Sequence, residues 1–346
     1  MNKFFLSASA ATLAIAASVS VASAQSRDTI QIAGSSTVLP FASIVAEEFG
    51  NAFPEFKTPV VGSGGSSGGL RQFCQGVGEN TIDIANASRR IRATEIEACN
   101  TAGVNKILEV QFGYDGIVFA TSADKGDFAL EPLHVFKAVA AQVPVDGQMV
   151  ANPYKTWNEI DPSLPEQAIA VAIPASNHGT REVFEERVLH EGCEAAELPE
   201  MSEEEAEAAC TAIRQDVVVE IAGDYTETLA RLQSNPDTVG VFGLSFYDQN
   251  RDTLKVATMS GVTPSLETIA AGEYPVSRPL YFYVKGEHVG TIPGIQEYVE
   301  FFLSEGMAGL GGTLETAGLI PAPVEETAEV LAEFQEGKAL TAADVQ

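Results

Sequence analysis

The sequence has 346 residues, with 48 acidic and 20 basic side chains and a formal net charge of −28. Nucleic acids and anionic lipid surfaces are bound chiefly through lysine and arginine, so this composition excludes both as partners. The length permits two domains of ordinary size.

The first 24 residues have the features of a secretory signal peptide. The basic start MNKFF leads into a short apolar stretch, and Ala22-Ser23-Ala24 fits the cleavage pattern. No other stretch reaches the roughly eighteen consecutive apolar residues that a spanning helix needs. We therefore expect an exported periplasmic protein that begins at Gln25 and does not insert into a membrane.

Short apolar strands alternate with amphipathic helices along the rest of the chain. Such alternation is typical of an α/β fold, with a mostly parallel sheet and helices on both faces. For its length, the chain is predicted to divide into two lobes of this kind. The predicted strands are 29–35, 57–63, 81–88, 106–121 (long enough for two), 168–174, 217–222, 239–247 and 277–284, and the predicted helices are 38–53, 68–77, 130–140, 180–192, 225–235, 292–310 and 325–346.

The four cysteines favour disulfide bonds, because their number is even and the chain is predicted to be exported. Four cysteines allow three pairings, and the spacing favours the two local ones, Cys74–Cys99 and Cys193–Cys210. The second bridge would close an acidic helical excursion, 193–210. Zinc or free thiols are the alternatives, although no cysteine has the close C-x-x-C partner of a typical zinc site.

Three loops share one design, in which a strand ends, small polar residues follow and a helix begins. Unpaired backbone amides and the helix dipole favour an anion at such a position. Ligands of open α/β sheets also lie at the carboxyl ends of strands. One such loop would be weak evidence, because serine and threonine are ordinary N-caps. The loops are Gly34-Ser35-Ser36-Thr37, Gly62–Gly69 and Asn177-His178-Gly179-Thr180, and Ser88-Arg89 follow a fourth strand.

Enzymatic and metal chemistry have weaker support. Gly64–Gly68 matches the G-x-S-x-G pattern of hydrolase nucleophile elbows, but none of the four histidines stands in the C-terminal place that a triad requires. The acidic run near residue 205 lacks the spaced carboxylates and glycine of a calcium loop. We therefore expect no catalysis, no metal and no cofactor.

Basic residues near the loops are informative in so acidic a chain. Arg89, Arg90 and Arg181 indicate either an anion contact or a buried ion pair. Arg181 lies in the first turn of a helix, where a cation opposes the dipole. His178 is a candidate donor to an anion; a general base or no role are the alternatives.

Taken together, these segments resemble a known family. GSSTVLPF, GSGGSSGGLRQFC, DIANASRRI and NHGTREVFEE have the order and spacing of the periplasmic phosphate-binding component of phosphate ABC transporters. The resemblance extends over nearly the whole chain after the signal peptide, including YDGIVFA and YPVSRPLYFYV, where such proteins cross between lobes. It implies a two-lobe, type II periplasmic-binding-protein fold that closes on one ligand. We expect lobe I to contain 25–115 plus 280–346, and lobe II to contain 116–279.

The resemblance also implies a ligand and a partner. A monomeric receptor would bind inorganic phosphate and deliver it to an inner-membrane ABC permease. Lobe I would supply donors from three loops, and lobe II would close with the fourth. The implied ligand-binding residues are Ser36, Thr37, Val38, Leu39, Ser66, Ser67, Gly68, Ser88, Arg89, His178, Gly179, Thr180 and Arg181.

The sequence departs from the family pattern at two places. Many members have Ser-Gly-Thr where this chain has His178-Gly179-Thr180. Some members place an aspartate, which accepts the proton of monohydrogen phosphate, where this chain has Arg89. Asp115, at the presumed hinge, is the substitute acceptor that we predict. A receptor for sulfate or molybdate, and an exported serine hydrolase or phosphatase that uses Ser66 or Ser67, are the alternatives.

Overall fold

The computed structural model describes residues 27–175, 180–222 and 225–345. The predicted signal peptide and two predicted ligand-binding residues, His178 and Gly179, lie outside these ranges. Within the ranges, strands and helices alternate in an α/β arrangement, as the sequence predicts.

The strands are mostly short, with one long exception. Several of the four-residue strands are buried on both faces, and these come from the apolar segments that the sequence analysis assigned as strands. The strands are β1 Gln31–Gly34, β2 Val60–Ser63, β3 Ile84–Ala87, β4 Ile107–Ser122, β5 Ala129–Leu130, β6 Gln142–Val145, β7 Gln148–Ala151, β8 Val171–Pro174, β9 Val218–Ile221, β10 Val239–Gly243, β11 Leu254–Val256, β12 Thr258–Met259, β13 Ser277–Lys285 and β14 Ile320–Pro321.

Helices with apolar residues at intervals of three and four positions bury the face that carries those residues. In the helix 295–302, for example, the buried residues are Ile295, Tyr298, Val299 and Phe302, the spacing of one helical face. The helices are α1 Leu39–Ala52, α2 Ser66–Phe73, α3 Ala93–Thr101, α4 Pro132–Val139, α5 Trp157–Ile160, α6 Thr180–Phe184, α7 Glu191–Ala195, α8 Glu203–Thr211, α9 Tyr225–Ser234, α10 Leu244–Gln249, α11 Leu266–Ala270, α12 Ile295–Phe302, α13 Thr313–Thr316 and α14 Val324–Glu336, with a π-helical turn, Glu185–His190, between α6 and α7 and a 3-10 turn, Ala342–Val345, near the end.

The main sheet has two parallel groups of strands joined by two antiparallel strands. Its order is β2-β1-β3-β13-β4-β10-β8-β9, and β11 and β14 also pair with β4. Strands β1, β2 and β3 are parallel, as are β8, β9 and β10. Strands β13 and β4 run antiparallel to their neighbours. The sheet is therefore parallel within each group and antiparallel at its centre.

Strand β4 belongs to both halves of the sheet. Its first part pairs with β13 from Ile107 to Gly116, and its second part pairs with β10 from Ile117 to Ala120. The segment 106–121, which the sequence left open as one or two strands, is thus one strand of 16 residues. Asp115 lies near the point where β4 passes from one partner to the other.

The buried side chains form three apolar clusters. One contains Phe49, Phe112 and Phe302 and lies beneath α1 and α12. A smaller one contains Phe73 and covers the other side of the same half of the sheet. The largest contains Trp157 and is formed by the elements around β8, β9 and β10. Each half of the sheet therefore has apolar packing of its own.

Several local predictions differ from the structure. The run 239–247 is a strand only to Gly243, and its second part is helix α10. Periodicity cannot distinguish strand from helix in so short an apolar run. The helix predicted at 292–310 ends at Phe302, before a glycine-rich segment. The hairpin β6–β7 was not predicted, although Asp146-Gly147 at its turn, with φ of 50° and 74°, is a strong hairpin signal.

Both predicted disulfide bonds are present, Cys74–Cys99 and Cys193–Cys210. The first ties the end of α2 to α3, and the second ties α7 to the acidic helix α8. No cysteine is free, so the zinc and free-thiol alternatives do not hold. Among the described residues, no helix has both the length and the apolar character to cross a bilayer.

Candidate functional site

The loops that follow β1, β2 and β3 begin at one edge of the sheet. Gly34, the last residue of β1, is in register with Ser63 of β2 and with Asn86 of β3. Because these strands are parallel, their carboxyl ends lie side by side and the loops leave in the same direction. This is the position at which ligands of open α/β sheets bind.

Two glycines allow the loops to approach each other closely. A Cβ atom at Gly34 would lie 2.1 Å from the carbonyl oxygen of Asn86, and one at Gly69 would lie 2.4 Å from the Cα of Gly34. Helix α2 is therefore packed directly on the end of β1. At Gly68, by contrast, no heavy atom lies within 4 Å of the Cβ position, so that face of the helix is open.

The loop after β1 is closed by Ser35. Its hydroxyl accepts the N–H of Val38 at 3.4 Å, and its carbonyl accepts the N–H of Leu39 at 3.1 Å. Both amides are bound within the turn in this structure, and the ligand role of Val38 and Leu39 stays a prediction. The hydroxyls of Ser36 and Thr37 instead donate to a carboxylate across the cleft.

The second and third loops form one polar cluster. Ser66 Oγ accepts the N–H of Ser88 at 3.1 Å and lies 3.0 Å from the Ser88 hydroxyl. Ser67 Oγ accepts from Arg89 Nη2 at 2.9 Å. Glu95 binds the same guanidinium at 2.8 and 2.9 Å and is the main reason that the pKa of Arg89 is raised. Arg89 is therefore held as a fixed cation beside two serine hydroxyls.

The opposite side of the cleft includes Thr180, Tyr225 and Gly243, which lie in the half of the fold that contains β8, β9 and β10. Thr180 begins α6, and its hydroxyl accepts from the Tyr225 hydroxyl at 3.2 Å. Thr180 lines the same cavity as Thr37 and Asp115. His178 and Gly179 lie outside the described residues, so their roles stay predictions.

Arg181 lies in a buried ion pair, one of the two alternatives that the sequence left open. Its Nε donates to Glu185 at 2.7 Å, and its Nη1 donates to Glu220 at 2.8 Å and to the carbonyl of Pro174 at 3.0 Å. These contacts occupy the guanidinium within its own half of the fold. A direct ligand role for Arg181 stays a prediction.

Arg278, in β13, reaches the centre of the site. Its Nη2 donates to Thr37 Oγ1 at 2.9 Å, and its Nη1 donates to Glu186 at 2.7 Å. The Nη2 atom also lies 3.6 Å from Asp115 and 3.5 Å from Glu182. The side chain is only 2% exposed, so this cation is built into the floor of the cleft.

Asp115 is a buried carboxylate with unused hydrogen-bonding capacity. It lies opposite Arg278 in the β4–β13 ladder. Its side chain is 5% exposed, and its Oδ2 atom has no hydrogen-bond partner among the described residues. Burial raises the pKa of Asp115 to about 6, against the opposing effect of Arg278. Asp115 can therefore accept a hydrogen bond from a group that carries a proton.

Thr37, Asp115 and Thr180 border a cavity of about 460 Å³. Its lining combines the Thr37 and Asp115 side chains with Thr180, Tyr225 and the end of β10 at Gly243. The cavity thus lies between the carboxyl ends of the two parallel groups of strands.

The described residues offer neither a metal cluster nor a triad. No group of three His, Cys, Asp or Glu side chains within the described ranges could hold a metal ion. The hydroxyls of Ser66 and Ser67 are bound by Ser88 and Arg89 rather than by a base. The described histidines pair with carboxylates, His134 with Asp161, His190 with Glu207 and His288 with Asp83.

Residues 19–306 match the PBP superfamily domain. The chain belongs to this family. It is 29% identical over 301 residues to the phosphate-binding protein PstS of Staphylococcus saprophyticus, which aligns over 86% of this chain and 81% of the relative. It is 26% identical over 323 residues to the protein SphX of Synechococcus elongatus, over 92% of this chain and 84% of the relative.

Solved structures show the same fold. A possible phosphate-binding protein from Planctomyces limnophilus superposes with a TM-score of 0.68 at 25% identity, over 90% of this chain and 98% of that one. PstS from Borrelia burgdorferi superposes with a TM-score of 0.60 at 19% identity, over 86% of this chain and all of that one. The prediction of a two-lobe α/β fold of the PBP superfamily is therefore confirmed.

Three site residues of this PBP superfamily member were missed by the sequence analysis. Arg278 stands in YPVSRPLYFYV, where a lone cation in a strongly apolar strand of an acidic chain was an available signal. Glu182 and Glu186 stand one helical turn apart in the fourth motif, just after Thr180. Nothing local indicates that their carboxylates reach across the cleft.

Proposed function

We propose that this protein is a periplasmic receptor that binds inorganic phosphate and delivers it to the permease of an ABC transporter, without catalysing a reaction. The observation that carries the proposal is the convergence of hydroxyls and a buried guanidinium on a cleft that also contains Asp115, whose Oδ2 atom has no hydrogen-bond partner among the described residues. The relatives named as phosphate-binding proteins support the same ligand.

The donors must act at short range. With a net charge of −28, the protein does not attract an anion from a distance, and in physiological salt charges are screened beyond about 8 Å. A hydrogen bond to a charged group in a desolvated site contributes roughly 1.5–3 kcal/mol. Several such bonds together supply the roughly 8 kcal/mol that micromolar binding requires.

Asp115 gives the proposed site its preference for phosphate. A buried carboxylate repels a fully ionised oxyanion but accepts the proton of a protonated one. Sulfate carries no proton near neutral pH, whereas monohydrogen phosphate carries one. The Oδ2 atom of Asp115 has no hydrogen-bond partner among the described residues, and Asp115 lines the same cavity as Thr37; both observations support Asp115 as this acceptor.

The proposed ligand contacts come from both lobes. The boundaries 25–115 plus 280–346 and 116–279 stay our proposal for lobe I and lobe II, and we propose a monomer that closes on the ligand. A signal peptide over residues 1–24 would direct it to the periplasm. The proposed contacts are Ser36, Thr37, Ser66, Ser67, Gly68, Ser88 and Arg89 as donors from lobe I, His178, Gly179 and Thr180 as donors from lobe II, Arg278 as a donor beside the lobe boundary, and Asp115 as acceptor.

Calorimetry with competing anions tests the proposal. We expect stoichiometric binding of inorganic phosphate, binding of arsenate, which has the same shape and proton, and much weaker binding of sulfate and molybdate. Tighter binding of sulfate would overturn the phosphate assignment and favour a receptor for another tetrahedral oxyanion.

A hydrolase is the other class to exclude. The hydroxyls of Ser66 and Ser67 are held by Ser88 and Arg89, an arrangement that suits donors to an anion better than nucleophiles. We expect no turnover of p-nitrophenyl phosphate or of simple esters. Turnover that is lost in Ser66→Ala or Ser67→Ala would overturn the proposal.

A further inference from the structure

Glu182 occupies donors that we assign to the ligand. Its Oε2 atom accepts from Ser36 Oγ at 3.4 Å and from Thr37 Oγ1, and it lies 3.5 Å from Arg278 Nη2. Ser36 and Thr37 follow β1, whereas Glu182 belongs to α6 on the other side of the cleft. A carboxylate of the protein thus makes the contacts that one edge of an oxyanion would make.

Glu186 also binds Arg278, from the π-helical turn that directly follows α6. It stands one turn after Glu182 and accepts from Arg278 Nη1 at 2.7 Å. Together with Asp115, three carboxylates surround the single guanidinium of Arg278. Like charges a few ångströms apart repel strongly in a partly desolvated site. A further dianion therefore cannot enter while all three carboxylates keep these positions.

In these contacts Thr37 and Arg278 are buried, whereas the two glutamate carboxylates are partly exposed and can be displaced by a ligand. Thr37 is 3% exposed and the Arg278 side chain 2%, so both donors are fixed within the protein. The side chains of Glu182 and Glu186 are 36% and 52% exposed, and they enter the site from the solvent side. Each can turn outward into water without disturbing the core.

We propose that Glu182 is a specificity-determining residue, an internal competitor that a ligand must displace from Ser36, Thr37 and Arg278. This inference rests on the proposed function. A small carboxylate ligand would only reproduce the bonds that Glu182 already makes, so it gains nothing by displacing Glu182. In this proposal a tetrahedral oxyanion would also bind the cluster of Ser66, Ser88 and Arg89, and these additional bonds would drive the exchange.

Competition by Glu182 lowers the apparent affinity for the ligand. If Glu182 occupies the donors in most ligand-free molecules, the apparent Kd is the intrinsic Kd divided by the fraction of molecules whose donors are free. Removing the charge of Glu182 should therefore strengthen oxyanion binding, which is the reverse of what loss of a ligand contact does.

The test compares Glu182→Gln with wild type by calorimetry against inorganic phosphate. Glutamine keeps the size of the side chain and removes its charge, so space in the site is unchanged. The matched control is Glu194→Gln, at an exposed position on α7, which has the same change in net charge. We expect phosphate to bind Glu182→Gln about tenfold more tightly than wild type, a difference of about 1.4 kcal/mol, with Glu194→Gln unchanged.

A second variant examines the selectivity. Glu182→Ala leaves a space in which free acetate can bind the same donors. Acetate should then weaken phosphate binding by Glu182→Ala and leave wild type and Glu194→Gln unaffected. Acetate competition of equal strength in all three proteins would overturn the inference.

The outcomes separate this inference from the proposed function. If wild type binds phosphate and Glu182→Gln binds it equally or more weakly, Glu182 is not a competitor and only the inference fails. If neither protein binds phosphate, the proposed function fails. Thermal melts of the three variants confirm that each is folded before binding is compared.

Discussion

Arg278 donates a 2.9 Å hydrogen bond to the hydroxyl of Thr37, although 241 positions separate the two residues in the chain. A hydroxyl that accepts from a cation must direct its own proton elsewhere. In this structure the proton goes to Glu182, and with ligand bound it is available to an oxyanion. Arg278 therefore fixes both the position and the donor direction of Thr37.

Replacing Arg278 with lysine should weaken phosphate binding. Lysine keeps the charge but lacks the planar fork that contacts Thr37 and Glu186 at the same time. We expect Arg278→Lys to lose roughly 1.5–3 kcal/mol of binding free energy, the value of one hydrogen bond to a charged group. Calorimetry with phosphate measures this loss. The control is Arg251→Lys, at an exposed arginine that pairs with Asp248. Equal affinity in both variants would remove Arg278 from the site.

The preference for phosphate over sulfate should depend on pH through Asp115. With a pKa of about 6, this carboxyl is ionised and able to accept a proton above that pH, and it is protonated below it. We expect the ratio of sulfate to phosphate dissociation constants to fall as the pH is lowered from about 8 to about 5. In Asp115→Asn the ratio should be low at every pH. A wild-type ratio that does not change across this range would contradict the assignment of Asp115 as acceptor.

Asp115 should also lower the free energy of unfolding near neutral pH. Its pKa is higher in the folded protein than the ordinary 3.8, so the folded state binds the proton more tightly than the unfolded state. The free energy of unfolding contributed by Asp115 therefore decreases as the pH rises from about 4 to about 6. We expect Asp115→Asn to be more stable than wild type above pH 6, by up to about 3 kcal/mol, and equal below pH 4.

Urea unfolding at several pH values measures this difference. The prediction concerns the difference between variant and wild type, so titration of other groups cancels to first order. A constant difference from acidic to neutral pH would mean that the charge of Asp115 is not the cause.

Thr180 should contribute to binding from the lobe II side. We expect Thr180→Ala to weaken phosphate binding by roughly 1–3 kcal/mol, because a buried charged acceptor loses a donor. Ser66→Ala should have a similar effect from the opposite side. Thr101→Ala, at an exposed threonine whose hydroxyl binds a carbonyl in its own helix, is the control for loss of a hydroxyl. Both loops would be excluded from the site if calorimetry found wild-type affinity in Thr180→Ala and Ser66→Ala.

The sequence predicted the parts of the site that depend on neighbouring residues. A strand that ends in glycine and serine before a helix is a local pattern, and the loops with Thr37 and Ser66 were found from it, whereas Ser88 was found as a polar residue at the end of a further strand. The same holds for the disulfide bonds, which join cysteines 25 and 17 positions apart.

The parts that depend on distant pairing could not be predicted in this way. The contact of Glu182 with Thr37 joins residues 145 positions apart, across the cleft. The antiparallel centre of the sheet arises because β13 returns between β3 and β4, which strand–helix alternation does not indicate. The bonds from the Val38 and Leu39 amides to Ser35 are local, but the strand–loop–helix pattern does not reveal them, and the donor role of these two residues stays a prediction.

Two neighbouring glycines of the run GSGGSSGGL should respond in opposite ways to alanine. At Gly69 the added methyl group would lie 2.4 Å from the Cα of Gly34 and 2.8 Å from the carbonyl oxygen of Ala33, both backbone atoms. Helix α2 would have to move away from β1, and overpacking of this kind costs roughly 1–3 kcal/mol. At Gly68 the methyl group meets no atom within 4 Å, and alanine is favoured over glycine in a helix by up to about 1 kcal/mol.

Denaturant unfolding should therefore show Gly69→Ala to be less stable than wild type and Gly68→Ala to be equal or more stable. The two variants differ by one position in the same helix and add the same methyl group, so each controls for the other. If both lost the same amount of stability, the contact between α2 and β1 at Gly69 would not be the cause of the loss. The predicted difference assigns a separate role to each glycine, with Gly69 needed for packing and Gly68 leaving the ligand side of the helix open.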